Sequence, residues 1–187
     1  MEREDWALVA SIIVMLFMCS SYFFKKKSLY LVMQGAGIVV MMVTYLLRRE
    51  YFAMVGLGIG LMRSVIYLLY EYKDKNTPIF WPFLFSALGI ACYFIINLHI
   101  QGDAKPLDII YLVGLVAYAF VFWVRNLKLV RYLVLIPTAL SLVYNACIGT
   151  AFVALSYGFE LCANTVTIVK YRLAERKKSG ENNYEQN

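Results

Sequence analysis

The sequence predicts an all-α membrane protein of seven transmembrane helices, and three observations carry this prediction. Of its 187 residues, 61% are hydrophobic and 16% are charged, whereas soluble domains are usually about 45–50% apolar. The charges fall in short clusters between apolar runs of about 18–20 residues, each long enough as a helix to cross about 30 Å of hydrocarbon. The loops between these runs alternate between rich and poor in basic residues.

Seven apolar segments are expected to form these helices, in one membrane domain over residues 1–173. The first follows an acidic start without the basic region of a signal peptide, so we interpret it as a retained helix. The third contains Gly56 and Gly60, whose spacing favours close helix packing over a ligand role. The sixth contains Pro137, which removes a backbone hydrogen bond and is a candidate hinge. The predicted boundaries are 6–24, 28–47, 51–71, 79–98, 107–124, 129–147 and 150–170.

The loop charges predict that the N-terminus lies outside and the C-terminus lies in the cytoplasm. Cytoplasmic loops carry an excess of Lys and Arg, and one side of the predicted bundle holds thirteen of these residues while the other holds four. The thirteen are Lys25, Lys26, Lys27, Lys73, Lys75, Arg125, Lys128, Arg131, Lys170, Arg172, Arg176, Lys177 and Lys178. Only an odd number of spans preserves this alternation. Residues 174–187 are polar and are predicted to be a disordered cytoplasmic tail.

Other functional classes receive little support. The formal net charge is +6, but the basic residues lie at helix ends instead of forming a nucleic-acid-binding stripe. The lone His99 has no cysteine or carboxylate at metal-ligand spacing. Paired carboxylates, nucleophile elbows and phosphate loops are missing from the sequence, and Asp103 and Asp108 are expected to be solvated. We therefore expect no enzyme, no metal and no cofactor.

A weak internal repeat divides the helices into two groups of three. Aromatic residues followed by bases over residues 21–30 recur in character over 121–130, and Tyr45 aligns with Tyr144 at a spacing of 99. Because one connecting span lies between the two groups, the chain crosses the membrane in the same direction in both groups, and they are parallel repeats. The predicted parts are repeat one over 5–73, a connector helix over 78–98 and repeat two over 106–172. Chance similarity among apolar helices is the alternative.

Several residues resemble those of YgjV-type bacterial inner-membrane proteins. They are the run SYFFKKKSLYLVMQGAG over 21–37, Leu61-Met-Arg-Ser64 and Asn164. The three-plus-one-plus-three arrangement also resembles the SWEET and PQ-loop transporter fold, although the Pro-Gln pair is missing. The first resemblance implies a multi-pass protein of the bacterial cytoplasmic membrane. The second implies transport, by analogy of fold.

Two charges at mid-membrane depth are the principal candidates for a functional site. Arg63 lies about twelve residues into the third span, where an arginine costs about 2.5–3.5 kcal/mol on insertion scales. Glu160 lies about ten residues into the seventh span, which runs in the same direction. We expect both to face a cavity where the third helices of the two repeats approach one another, and we hypothesise that they pair. They would contact a polar substrate or gate access, and a purely structural ion pair is the alternative.

Four further polar residues are candidates for the substrate pathway. Asn164 lies one turn beyond Glu160, and the SWEET resemblance implies that an asparagine in this helix contacts substrate. Gln34, Tyr144 and Asn145 are weaker candidates, because hydrogen bonding between helices explains them equally well.

The resemblance to the SWEET fold and the two mid-membrane charges favour a gradient-driven transporter or facilitator of a small polar metabolite. The alternative is a non-transporting scaffold or assembly protein with a structural Arg-Glu pair. The hypothetical partners are the lipid bilayer, the substrate and further copies of the chain, with no nucleic acid.

Overall fold

The computed structural model describes residues 3–48, 50–96 and 106–184, and within these ranges the chain is helical, without strands. The helices are α1 (Arg3–Ser21), α2 (Lys27–Arg48), α3 (Tyr51–Tyr72), α4 (Phe80–Ile95), α5 (Pro106–Trp123), α6 (Leu127–Leu133), α7 (Leu135–Cys147) and α8 (Ala151–Tyr184). Each of the seven predicted segments overlaps a helix, and the sixth overlaps both α6 and α7. The apolar runs thus form the helices that their length and composition indicate.

Four helical stretches in the described ranges are long and apolar enough to cross a membrane. They are Lys27–Leu46, Tyr51–Tyr72, Pro106–Trp123 and Leu127–Cys147. Shorter apolar helices cover Val9–Ser21 and Phe80–Ile95, the latter about 24 Å long at the usual helical rise. The predicted outer-loop residues His99, Asp103 and Lys105 lie outside the described residues.

Six helical segments form a closed ring, and α4 lies outside it. Neighbours pack in the order α1, α2, α3, α5, α7, α8 and back to α1, while α4 packs on α3 and α5. We expected α3 and α8 to approach one another. Instead, each packs on the first helix of the other predicted group, α3 on α5 and α8 on α1, because a ring of six places the third helices on opposite sides of its centre.

Two buried clusters rich in aromatic residues fill the two ends of the ring. The first lies toward the end where α1 begins and includes Tyr45, Phe52, Tyr111, Tyr144 and Tyr157. The second lies toward the opposite end, includes Tyr22, Tyr30, Tyr67 and Phe122, and extends to Phe85 of α4 outside the ring. Edge-to-face pairs are frequent in both, and each such pair contributes about 0.5–1.5 kcal/mol beyond area burial. The polar side chains of the centre are therefore enclosed between two aromatic layers.

The helix of the sixth segment is irregular at Val134, close to Pro137, although Val134 keeps right-handed helical backbone angles and donates to the Val130 carbonyl oxygen at 2.9 Å. Proline has no backbone N–H to donate to the carbonyl of Leu133, and its ring crowds that carbonyl. Accordingly α6 ends at Leu133 and α7 begins at Leu135. The interruption predicted at this proline is present, and its role as a hinge stays a prediction.

The polar tail differs from the prediction. Residues 174–187 were expected to be disordered, whereas α8 continues as a helix to Tyr184. Ala, Glu, Arg and Lys have high helix propensity, and extending an existing helix avoids the cost of nucleating a new one.

Arg131 also differs from its predicted place among the loop bases. Its side chain is only 2% exposed, and its Nη2 atom donates to the carbonyl oxygens of Tyr22 at 3.0 Å and Phe24 at 2.6 Å. Its guanidinium also lies 4.7 Å from the ring centre of Tyr171. Since carbonyls at a helix end lack partners within the helix, Arg131 ties the end of α1 to α6 and is buried by doing so.

Candidate functional site

The centre of the ring contains a cavity of about 50 Å³, room for roughly three or four waters. Every helix that makes up the ring contributes to its wall. One lining residue from each is Met18 (α1), Gln34 (α2), Arg63 (α3), Tyr118 (α5), Ser141 (α7) and Glu160 (α8). Three of the predicted site residues, Gln34, Arg63 and Glu160, therefore meet at one place.

Arg63 is buried without a hydrogen-bonding partner. Its side chain is 4% exposed, and its Nε atom is enclosed without an acceptor. Its guanidinium carbon lies 4.9 Å from the ring centre of Phe122 and 5.6 Å from that of Tyr118. A cation over aromatic rings gains about 2 kcal/mol when desolvated. Among the described residues, these ring contacts replace the anion that a buried arginine usually has.

Glu160 is held by neutral donors instead of a base. Its Oε1 atom accepts hydrogen bonds from the Tyr22 hydroxyl at 2.6 Å and from Gln34 Nε2 at 3.4 Å. Gln34 Nε2 also donates to Ser21 Oγ at 3.0 Å, which fixes the amide between α1 and α8. Tyr22 and Gln34 thus orient one carboxylate oxygen, while Oε2 makes no hydrogen bond to any residue that the structure describes.

The hypothesised ion pair between Arg63 and Glu160 is not formed. The ion pairs among the described residues are Lys27 with Glu71 at 3.5 Å and Arg125 with Asp74. Both lie near the helix ends, away from the centre. Because α3 and α8 do not adjoin in the ring, the two central charges line the same cavity without touching. The cavity presents one guanidinium and one carboxyl group to whatever occupies it.

The glycines of α3 have different roles along one face. A Cβ atom at Gly56 would lie 2.8 Å from Cε1 of Tyr111, so this glycine permits the close approach of α3 and α5. A Cβ atom at Gly60 would lie 3.6 Å from Nη2 of Arg63, an ordinary contact inside the cavity. The predicted packing role therefore describes Gly56, and Gly60 leaves space beside the arginine.

The other predicted site residues lie outside the cavity wall. Asn145 accepts from the hydroxyls of Tyr45 at 2.6 Å and Thr150 at 2.7 Å, which links α2 to α7 at the first aromatic cluster. Tyr144 donates to Asp108 at 3.2 Å. Asp108, expected to be solvated, is only 3% exposed, because α5 begins beside α7 and buries its first turn.

Asn164 lies one helical turn after Glu160 in α8 and is not among the residues that line the cavity. Its Nδ2 atom donates to the carbonyl oxygen of Arg131 at 2.6 Å, and its Oδ1 atom is buried without a partner. It therefore joins α8 to α6 at the second aromatic cluster. Its predicted contact with substrate stays a prediction.

Several residues of the site were missed by reasoning from sequence. Tyr22 lies at the end of the first predicted span and was not a candidate, yet it is fully buried and donates to Glu160. The α5 face formed by Tyr111, Leu115, Tyr118 and Phe122 lines the cavity, and its spacing of four, three and four residues is the signal that could have identified it. No comparable signal distinguishes Tyr22 from the aromatic residues beside it.

Comparison with known proteins places the chain in a family. Residues 6–175 match the family model Imp-YgjV, described as bacterial inner membrane protein. Neither the comparison with curated proteins nor that with solved structures gave a match. The match covers α2 to α7 completely and most of α1 and α8, and it agrees with the helices that are apolar enough to span a membrane. The chain therefore belongs to the Imp-YgjV family of bacterial inner membrane proteins, and it is a multi-pass protein of that membrane.

Proposed function

We propose that this protein is a transporter or facilitator that moves a small polar solute across the inner membrane through the cavity at the centre of its helix ring. The observation that carries the proposal is Arg63, a charged group buried in the wall of a cavity without an ion pair or a hydrogen bond among the described residues. Ionisable groups inside membranes are costly and usually mark solute or ion pathways.

The packing of the ring is consistent with two parallel repeats joined by α4. In the proposed arrangement, α1, α2 and α3 form one repeat, and α5, α6 with α7, and α8 form the other. The contact of α1 with α8 then corresponds to the contact of α5 with α3. A solute site between two such repeats is the usual position in transporters of this kind.

Passage requires the aromatic clusters at the two ends of the ring to open in turn. We propose that the repeats rock against one another, with the break between α6 and α7 near Pro137 as the bending point. Since the sequence contains no phosphate-binding loop, the movement would follow a solute gradient.

The alternative of a scaffold with a structural Arg-Glu pair loses its principal support. That hypothesis needs Arg63 and Glu160 to lock the helices together, whereas Arg63 lies beside the rings of Phe122 and Tyr118 and Glu160 is bonded to Tyr22 and Gln34. A structural role does not require an unpaired guanidinium beside a cavity.

The proposed orientation places the N-terminus outside and the C-terminus in the cytoplasm, and it has its own test. A green fluorescent protein fused after Asn187 is expected to fluoresce, because this reporter folds in the cytoplasm and not after export. Alkaline phosphatase at the same position is expected to be inactive. An active alkaline phosphatase together with a non-fluorescent fusion would show that the C-terminus lies outside, which contradicts the proposed orientation.

The transport proposal is tested by reswelling of proteoliposomes. Vesicles shrunk by a sudden excess of external solute recover their volume only when that solute enters, so no substrate needs to be known beforehand. The panel would contain glycine, acetamide, urea, glycerol and glucose. We expect wild-type vesicles to reswell faster than protein-free vesicles for at least one solute.

Variants connect reswelling with the cavity. Gly60→Leu fills the space beside Arg63 and is expected to abolish the effect, whereas Arg125→Ala removes an exposed base from a helix end and is expected to leave it unchanged. Reswelling no faster than in protein-free vesicles for the whole panel, or unchanged by Gly60→Leu, would contradict the proposal.

A further inference from the structure

We infer that the central cavity selects a small zwitterionic solute, whose carboxylate binds Arg63 and whose ammonium group binds Glu160. This inference deepens the proposed function and depends on it only for the passage of the solute, since binding alone can be measured without transport. It rests on the observation that Arg63 and Glu160 line one small cavity and that neither forms an ion pair with a described residue.

Arg63 requires an acceptor that the described residues do not supply. A guanidinium carries five N–H donors in a planar fork, and none of them makes a hydrogen bond here. The ring centres of Phe122 and Tyr118 lie 4.9 and 5.6 Å from its carbon, and neither ring supplies a carboxylate or carbonyl acceptor, so the donors remain for a ligand. A planar carboxylate matches such a fork with two parallel hydrogen bonds.

Glu160 supplies the complementary charge. Tyr22 and Gln34 bind its Oε1 atom and hold the carboxylate in one orientation. Its Oε2 atom, without a hydrogen bond among the described residues, is left to accept from a donor in the cavity. Among the residues lining the cavity, Arg63 and Glu160 are the charged ones, so the wall carries no net charge and disfavours a lone cation or anion.

The dimensions of the cavity limit the solute to a small molecule. About 50 Å³ accommodates three or four waters, which corresponds to roughly four or five non-hydrogen atoms. Leu57, Leu115 and Ile38 form apolar parts of the wall and suit a short carbon chain between two charged ends. Glycine has five such atoms and both charges, whereas a hexose needs a wider cavity.

The inference is tested by thermal stability of the purified protein in detergent with glycine, acetate or methylammonium. Acetate and methylammonium each represent one half of glycine. At a glycine concentration about ten times the Kd, we expect Tm to rise by about 3–6 °C. Equal concentrations of either half are expected to raise it by less than 1 °C, since each leaves one charge in the wall without a partner.

Two pairs of variants assign the binding to these charges. Arg63→Gln and Glu160→Gln are expected to abolish the glycine-dependent shift. Their matched controls, Arg125→Gln and Glu71→Gln, remove the same charges from helix ends and are expected to retain it. A glycine shift that persists in Arg63→Gln, or an acetate shift as large as that of glycine, would overturn the inference.

Competition on the wild-type protein keeps the inference testable if a variant fails to fold. Binding of radiolabelled glycine is expected to be displaced by unlabelled glycine and by neither half alone, and displacement by acetate as effective as by glycine would overturn it. Glycine binding without reswelling for any solute would uphold this inference and refute transport. Reswelling by another solute without glycine binding would do the opposite.

Discussion

Replacing Arg63 with Met is predicted to stabilise the protein, which separates a functional charge from a structural one. Holding an arginine at mid-membrane costs about 2.5–3.5 kcal/mol. Its contacts with Phe122 and Tyr118 offset about 2 kcal/mol of this cost. The unfolded chain can extend the same side chain to the membrane surface. Methionine has similar length and no charge to desolvate, so we expect the free energy of unfolding to rise by about 1 kcal/mol.

Arg131→Met is the matched control, because Arg131 is an equally buried arginine with partners. Its loss leaves the carbonyls of Tyr22 and Phe24 without their charged donor, and hydrogen bonds to charged groups contribute about 1.5–3 kcal/mol each. Relief of charge burial near the helix ends offsets part of this. We expect a net destabilisation of about 2 kcal/mol, opposite in sign to the effect at Arg63.

The assay is unfolding by sodium dodecyl sulfate in mixed micelles, followed by tryptophan fluorescence and analysed for the free energy of unfolding. The difference between the two variants should be about 3 kcal/mol. If Arg63→Met destabilises the protein as much as Arg131→Met does, the guanidinium is a structural element and the argument for a solute site fails.

Two further predictions concern packing in the ring. Tyr45→Phe and Asn145→Ala each remove one partner of a buried 2.6 Å hydrogen bond. The same unfolding assay on the two single variants and the double variant should therefore give a coupling energy of about 0.6–1.7 kcal/mol. Additive effects of the two substitutions would contradict this contact. Gly56→Ala should lower Tm, because the new Cβ atom would lie 2.8 Å from Tyr111, whereas Gly60→Ala should not, because its Cβ atom would lie 3.6 Å from Arg63. Equal effects on Tm would show that the cavity wall at Gly60 is closed.

Hydropathy and charge determined where the helices form and which residues lie at mid-depth. An apolar run long enough to cross the membrane must be helical to satisfy its own backbone hydrogen bonds, so the position of α3 and of Arg63 within it follows from local sequence. The family match and the membrane location agree with this level of prediction. The break before Pro137 is equally local, because it results from a missing N–H group.

Only the tertiary structure decided which side chains meet. Arg63 and Glu160 share a cavity but not an ion pair, Tyr22 binds Glu160, and Arg131 and Asp108 are buried. These outcomes depend on the lateral order and rotation of the helices about their axes. Hydropathy does not specify either one, because in a membrane the helices associate through close packing and hydrogen bonds between particular side chains.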